Sequence, residues 1–385
     1  MPFRLQPRLT FDISSSDLLS AAFGSGRNPT IFLNPREWVP ALSVRTLFDA
    51  LLEELNLPHG TTILFTAINI AGMVEIARHH GLNVEVVDID PDTLLPPDGA
   101  LVSAAERKNA KLCVIAPLFG ARSRVNDIPA LQEMGVLVVS DLAQAYASIE
   151  DLYERDNADV RLFSFGAIKR KTALGGALGL FASTDLSDAV MKRVASYPRR
   201  SDLWFRQRAF KYLTLKALSH PILYAFLERL FRLLKMDFDT AIGNAARGFG
   251  RDTDPAKYRW KPPLRLTRLM IKRVAEEPDK SREAAAWEFI RNLPDGVFVP
   301  GTRADVHHHW LVPVCLPDPD AVMLDLRKNG FDATRGATSL YCIDEKSAPA
   351  AANLMKTVLY LPHPVHLSRD ERSRMTGCLA SAVTP

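Results

Sequence analysis

The sequence predicts an α/β protein built on a mostly parallel sheet with helices on both faces. Two observations carry this. From about residue 43 to residue 183, short β-rich runs alternate with segments of helical spacing, the signature of a parallel sheet covered on both sides. With 385 residues, 47% of them hydrophobic and 24% charged, the chain can also bury a core large enough for one large domain and a smaller one. In order, "SVRTLFDALLEELNL" reads as a helix stopped at "PHG", "TILF" as a short strand, and "AGMVEIARHHG" as a helix ended by Gly81. "VEVVDID", "KLCVIAPLFG", "IPALQEMG", "VLVVSD", "RLFSF" and "GGALGLFAS" continue the alternation. Ligand chemistry in such a sheet gathers at the carboxyl ends of its strands.

Composition narrows the function classes. A net charge of +4 over this length does not by itself imply nucleic acid, and no reader module accompanies it. Cys113, Cys315, Cys342 and Cys378 are scattered, without metal-ligand or redox spacing. The first residues lack the pattern of a secretory signal, and no apolar stretch is long enough to span a bilayer. A cytoplasmic protein with reduced thiols is the expectation.

The chemistry-bearing stretch is "RLFSFGAIKRKTALGGALGLF", residues 161–181, where three cations stand between two runs that read as buried strand. A charge beside core strands is costly unless it is paired, neutralised or used. Asp141 closes "VLVVSD" and Lys169 follows "RLFSF", so an acid and an amine can face one crevice. A P-loop requires Gly directly before its Lys-Thr, and here Arg170 and Lys171 precede Thr172. No G-x-G-x-x-G opens the first helix, which removes the dinucleotide fold. A lysine forming a Schiff base with an aldehyde cofactor, with a carboxylate on the cofactor's ring nitrogen, uses both residues.

"SDLAQAYAS" at 140–148 and "SFGAIK" at 164–169 resemble the two signature segments of the DegT/DnrJ/EryC1/StrS aminotransferases, which are fold-type-I pyridoxal-phosphate enzymes. The likeness extends over Ser43 to Asp90, and resumes at "VIAPLFG" and at "VLYLPHPVHLSRDE". It implies that the cofactor is pyridoxal 5'-phosphate (PLP), bound by Lys169, which also moves protons. It implies Asp141 at the pyridine nitrogen, Gln144 near the ring hydroxyl and Ser164 on the phosphate. Lys171 is the rival lysine, more at home as a solvated or phosphate-facing cation.

The sequence departs from the family pattern at the phosphate loop, at the ring-stacking position and in the glycine turn. Ser43-Val44-Arg45 stands where the family has Ser-Gly-Thr; Ser43 can still cap the helix and present its terminus to an anion, and Arg45 adds a charge. Ile70, beside Asn69, replaces the aromatic ring that stacks on the cofactor, and Leu174 replaces an acid in the glycine turn. The family's "NYR" aligns with "KYR" at 257–259, which implies a homodimer in which Lys257 approaches the partner's cofactor phosphate.

Between Lys169 and "KYRW" the chain has roughly forty residues more than the family pattern. Residues 203–236 carry seven Lys or Arg, one acid (Glu228) and interleaved aromatic residues, split by Pro221 into two helical pieces. That composition suits an anionic membrane interface, and equally two helices packed on the body or on a partner subunit. The domain expectation is a PLP-binding domain over 1–190, a basic helical insertion over 191–256 and a small α+β domain over 257–385. Other candidates carry structure. "HHH" at 307–309 lies on a strand that sends neighbours to opposite faces, so no metal is expected. His79 and His80 sit at a helix end, "SRDE" at 368–371 is a capping box, and Arg335 in "GFDATRG" is a candidate for a substrate carboxylate, with a surface turn as the more common outcome.

The expected activity is amino transfer from an amino acid donor such as glutamate to a carbonyl acceptor, by resemblance a keto-sugar nucleotide, with a lipid-linked or amphipathic acceptor as a variant. Another PLP reaction, dehydration or decarboxylation, competes with it, as does a non-catalytic membrane-associated protein that keeps the cofactor site. Localisation is then cytoplasmic or peripheral at the inner face of the membrane.

Overall fold

A seven-stranded sheet in the order β1-β9-β8-β7-β5-β2-β4 forms the centre of the computed structural model. The structure describes residues 3–8, 10–24, 38–146, 157–246, 254–277, 279–336 and 339–383. Ala147 and Ser148, the end of the "SDLAQAYAS" segment, lie outside them. Strands β2 (Thr62–Thr66), β4 (Asn83–Val87), β5 (Leu112–Ile115), β7 (Leu137–Asp141) and β8 (Val160–Ser164) run parallel. On the β8 side, β9 (Ala177–Phe181) pairs antiparallel with β8, and β1 (Trp38–Ala41) antiparallel with β9. The mostly parallel expectation therefore holds, with the reversal placed where Gly175 and Gly176 turn the chain. Gly176 has φ +88, and a Cβ there would meet Met270 Sδ at 2.9 Å, so only glycine makes the turn without displacing a neighbour.

Helices cover both faces, as apolar strands require. Helix α2 (Val44–Leu55) buries Leu47, Phe48, Leu51 and Leu52 against one face, with Phe65, Val114 and Leu162. The other face packs Leu64, Cys113 and Val138 against Leu101 and Leu131. A smaller C-terminal layer pairs β11 (Val312–Cys315) with β13 (Val358–Leu361) and buries Phe331, Leu326 and Met375 around them. It reaches back to the large sheet through two short pairings: β10 (Val306–His307) with β6 (Ala121–Arg122), and β12 (Leu340–Cys342) with β3 (Ile68–Ile70).

The surplus segment forms α7 (Asp202–Leu218) and α8 (Pro221–Leu233). In α7, Phe205, Ala209 and Tyr212 point inward, and Arg206, Arg208 and Lys216 bind backbone carbonyls of Ala22, Leu174 and Ile13. Three of the seven cations are thus held by the protein itself and unavailable to a lipid surface. Phe205, Tyr212 and Tyr224 are likewise core residues. Helix α8 is apolar on two sides, because Leu227 and Phe231 pack inward beside Tyr224 with Leu5 and Phe238 while other apolar side chains face out. It buries Tyr224, Ala225 and Glu228 and exposes Phe226 and Leu233, at 62% and 80%, along with Ile222, Leu223 and Leu230. Among the described residues no helix is long and apolar enough to cross a membrane.

Candidate active site

The carboxyl ends of β2, β5, β7 and β8 open into one cavity, which contains Asp141 and Lys169 together with Ser43, Val44, Arg45, Ile70, Gln144 and Ser164. Every predicted site residue except Lys257 lines it. Lys257 sits on a short helix, Pro255–Tyr258, and is exposed.

Asp141 is the last residue of β7, so the strand's end aims its carboxylate out of the sheet into the cavity. It is buried, and Oδ1 accepts a hydrogen bond from Ala143 N at 3.1 Å. Burial pushes its pKa up; the Ala143 N–H and the charges of Lys169 and Arg45 oppose that.

Lys169 stands in the turn that follows β8, where its N–H donates to Gly166 O at 2.9 Å and Ser164 Oγ accepts from Gly166 N at 3.3 Å. Its ammonium lies 4.0 Å from the ring centre of Trp310. Burial lowers the amine's pKa to about 8; Asp141 resists the shift and Arg45 adds to it. The neighbouring cations go elsewhere. Arg170 is buried and donates to His308 O at 2.7 Å, beside Glu283. Lys171 is also buried rather than solvated, with Nζ donating to Glu276 O at 2.5 Å and Glu277 O at 2.7 Å. One lysine enters the cavity and its two successors clamp the loop to Glu276, Glu277, Glu283 and His308.

Ser43 caps α2, its Oγ accepting from Thr46 N at 3.2 Å. Thr46 Oγ1 donates to Tyr258 O at 2.7 Å, so in the 3.0 Å contact between the hydroxyls Ser43 must be the donor. Its proton is committed, and what this helix end offers an anion is the N–H groups of Val44 and Arg45 together with the dipole. The Arg45 side chain lies over α3 (Ala71–His79), where a Cβ on Gly72 would collide with the guanidinium. Gln144 Oε1 accepts from Phe119 N at 3.1 Å, which leaves its amide nitrogen for the cavity. Asn69 Nδ2 is buried without a hydrogen-bond partner at the cavity wall. An unsatisfied donor there is costly unless a ligand accepts from it.

Sequence reasoning missed Trp310 and Arg208, which also line the cavity. Trp310 comes from the small domain and is locked by its Nε1 donating to Ile168 O at 2.8 Å. Its position directly after the three histidines was the available signal. Arg208 was one cation among seven, and nothing in the sequence set it apart.

The histidines are structural. The His307 and His309 rings stack at 3.9 Å, and burial lowers their pKa values to about 4 and about 2, so both are neutral at pH 7. His308 turns to Glu283 at 3.0 Å. Among the described residues no cluster of three metal-ligating side chains exists. His80 pairs with Asp49, Ser368 and Glu371 form the reciprocal capping box, and Arg335 binds Asp320 and the Lys356 carbonyl at the surface.

Comparison with known proteins bears on the fold that carries this cavity. The profile of the DegT/DnrJ/EryC1/StrS aminotransferase family matches residues 45–210, the part that carries Arg45, Asp141, Lys169 and Arg208. Among solved structures, sugar aminotransferase CalS13 from Micromonospora echinospora superposes with TM-score 0.64 at 19% identity, covering 98% of this chain and 100% of that one. Aminotransferase TlmJ from Streptoalloteichus hindustanus gives 0.64 at 16%, covering 99% and 92%. Spr1654 from Streptococcus pneumoniae in its PLP form gives 0.63 at 14%, covering 98% of each chain. At these identities the likeness establishes the fold, that of the fold-type-I PLP aminotransferases, over nearly the whole chain. No curated protein matches by sequence.

Proposed function

Because residues 45–210 match the model of the DegT/DnrJ/EryC1/StrS aminotransferases, a PLP-dependent family, we propose that the protein moves an amino group from an amino acid such as glutamate to a keto-sugar nucleotide. The observation that carries this reading is the amine of half-buried Lys169, its pKa lowered by desolvation, sharing one cavity with the buried carboxylate of Asp141, with a helix N-terminus and Ser164 also on its wall. The partnerless Asn69 Nδ2 and the burial of Asp141, which its neighbours offset only in part, are what a polar ring with a cationic nitrogen would satisfy.

Bound there, PLP supplies an electrophilic aldehyde and a ring that withdraws electrons from the substrate's Cα. The residues do the rest. Lys169 presents a partly neutral amine, the nucleophilic form, and afterwards carries a proton to and from the substrate's Cα. Asp141 holds the proton on the ring nitrogen, because a buried carboxylate favours an adjacent cation. Gln144 donates its amide N–H toward the ring hydroxyl. Ser164 accepts from Gly166 N and so has its own proton free for the phosphate, beside the N–H groups that open α2. Ile70 replaces ring stacking with apolar contact. A homodimer would place Lys257, exposed and outside its own chain's cavity, near the partner's phosphate.

A lipid-linked acceptor presented at an anionic membrane surface is the second reading, and the exposed apolar side of α8 favours it. The test of the main reading is spectroscopic. Purified protein should be yellow, borohydride should fix the cofactor to Lys169, and glutamate should convert the cofactor to its amine form. An adduct on Lys171 overturns the site. Cofactor held but unchanged by glutamate favours the non-catalytic reading, and carbon dioxide or water released from the substrate favours decarboxylation or dehydration.

A further inference from the structure

The inserted helix α7 does more than pack. Arg208 leaves it toward the cavity wall, where its Nε donates to Leu174 O and lies 3.9 Å from where a methyl on Gly175 would stand. Gly176, next along, donates to Leu42 O, and its own carbonyl accepts from Phe165 N. Leu42 precedes Ser43 and Phe165 follows Ser164. Arg208 therefore stands over the strip of backbone that joins the two serines, at the end of the cavity where the α2 N-terminus opens.

What surrounds the guanidinium is aromatic: the Trp204 and Tyr212 ring centres lie 5.5 and 5.1 Å away, and Tyr212 OH accepts from it at 3.4 Å. Among the described residues no carboxylate pairs with it. Burial accordingly lowers its pKa, although an arginine stays charged. A cation taken out of water without a counter-charge is costly, and at a cavity wall the missing partner is a ligand. Among the described residues, the cavity's ionisable side chains are Arg45, Lys169 and Arg208 against Asp141, an excess of positive charge.

We propose that Arg208 is an oxyanion anchor, delivered by the inserted helix to the phosphate end of the cavity and binding an anionic oxygen group through its planar fork. The inference rests on the reading that the cavity holds PLP on Lys169. Two sources share the chemistry: the cofactor's phosphate, and an anionic group of a substrate. The 202–218 helix then belongs to the active site, adding an anchor beyond the two signature segments and near the end of the stretch that the family profile matches.

The test uses the full-length protein, Arg208→Gln and Arg208→Lys. Dissociation constants are measured by absorbance for PLP and for pyridoxal, which lacks the phosphate, and by perturbation of the holoenzyme spectrum for glutarate and for inorganic phosphate. If the cofactor's phosphate is the ligand, Arg208→Gln weakens PLP at least tenfold, leaves pyridoxal within twofold, and Arg208→Lys restores part of the loss. If a substrate's anion is the ligand, PLP is unchanged while glutarate or phosphate weakens tenfold on the holoenzyme. Equal weakening of PLP and pyridoxal marks a structural role only and overturns the proposal, as does a variant that binds all four like the wild type. Failure of the underlying reading looks different, since the wild type itself would then give no PLP absorbance band.

Discussion

Lys169, drawn down to about 8 by burial with Arg45 adding to the shift, is mostly protonated at neutral pH and mostly neutral a unit above its midpoint. Capture of pyridoxal by the apo-protein should therefore speed up as pH rises, with its midpoint near 8, and level off beyond. Stopped-flow absorbance reads this directly; a midpoint above 10 would mean that the amine is solvated. The same shift has a stability consequence of defined sign. The folded pKa is below the unfolded one, so the apo-chain loses stability as pH falls from the unfolded value of 10.5 through about 8, because folding then buries a charge. Removing the Arg45 charge, as in Arg45→Met, should raise the capture midpoint. Asp141→Ala should keep part of its cofactor binding and lose turnover, and unchanged turnover in a glutamate assay would remove Asp141 from the mechanism. Asp141 and Lys169 were legible in the sequence because each sits at the end of an apolar run whose direction is dictated by strand geometry. Arg208 and Trp310 were not, since each reaches the site from an element placed by tertiary packing.

At the scale of elements, alternation predicted the five parallel strands and their covering helices, because a strand buried on both faces must be apolar throughout. It did not reveal β3 or β12, three residues each, whose pairing joins the small domain to the cavity wall and depends on contacts some 270 residues apart along the chain. In residues 203–236 composition suggested one amphipathic surface, yet the two helices divide the labour. Helix α7 packs Phe205, Ala209 and Tyr212 inward, and α8 packs one apolar side inward and leaves a second exposed, with Arg229, Arg232 and Lys235 near it in sequence. Vesicles distinguish what that side meets. If it meets anionic lipid, the wild type co-sediments with anionic but not neutral vesicles, salt weakens the association, and each cation accounts for about 1 kcal/mol. Phe226→Ser and Leu233→Ser should abolish sedimentation while changing stability by less than about 0.5 kcal/mol, because both side chains are exposed. Wild-type protein that ignores anionic vesicles ends the membrane reading.

At the scale of the whole molecule, one buried cluster holds the insertion, the small domain and the first residues together. Asp332 accepts from Arg8 Nε at 2.6 Å, from Tyr224 OH at 2.6 Å and from Arg327 at 3.0 Å, and its side chain is fully buried. Asp332→Ala would leave Arg8 buried without its principal counter-charge, and the expected cost is about 3–5 kcal/mol by urea denaturation. A loss below about 1 kcal/mol would show that the cluster relaxes into water. Asp239, also paired with Arg8 and Arg327, should matter less because its side chain is 43% exposed. The same corner has a consequence for how the chain is made. Gln6 N donates to Gly330 O and Asp332 N to Gln6 O, whereas every strand of the seven-stranded sheet comes from residues 38–181. At a ribosomal pace of about 5–20 residues per second, residues 5–8 wait roughly 15–65 s for their partners, long after the sheet's last strand has emerged. Residues 5–8 are therefore among the last to be locked in place, and the 202–233 helices, anchored through Tyr224 to that same aspartate, dock fully only once residues 330–332 have been synthesised.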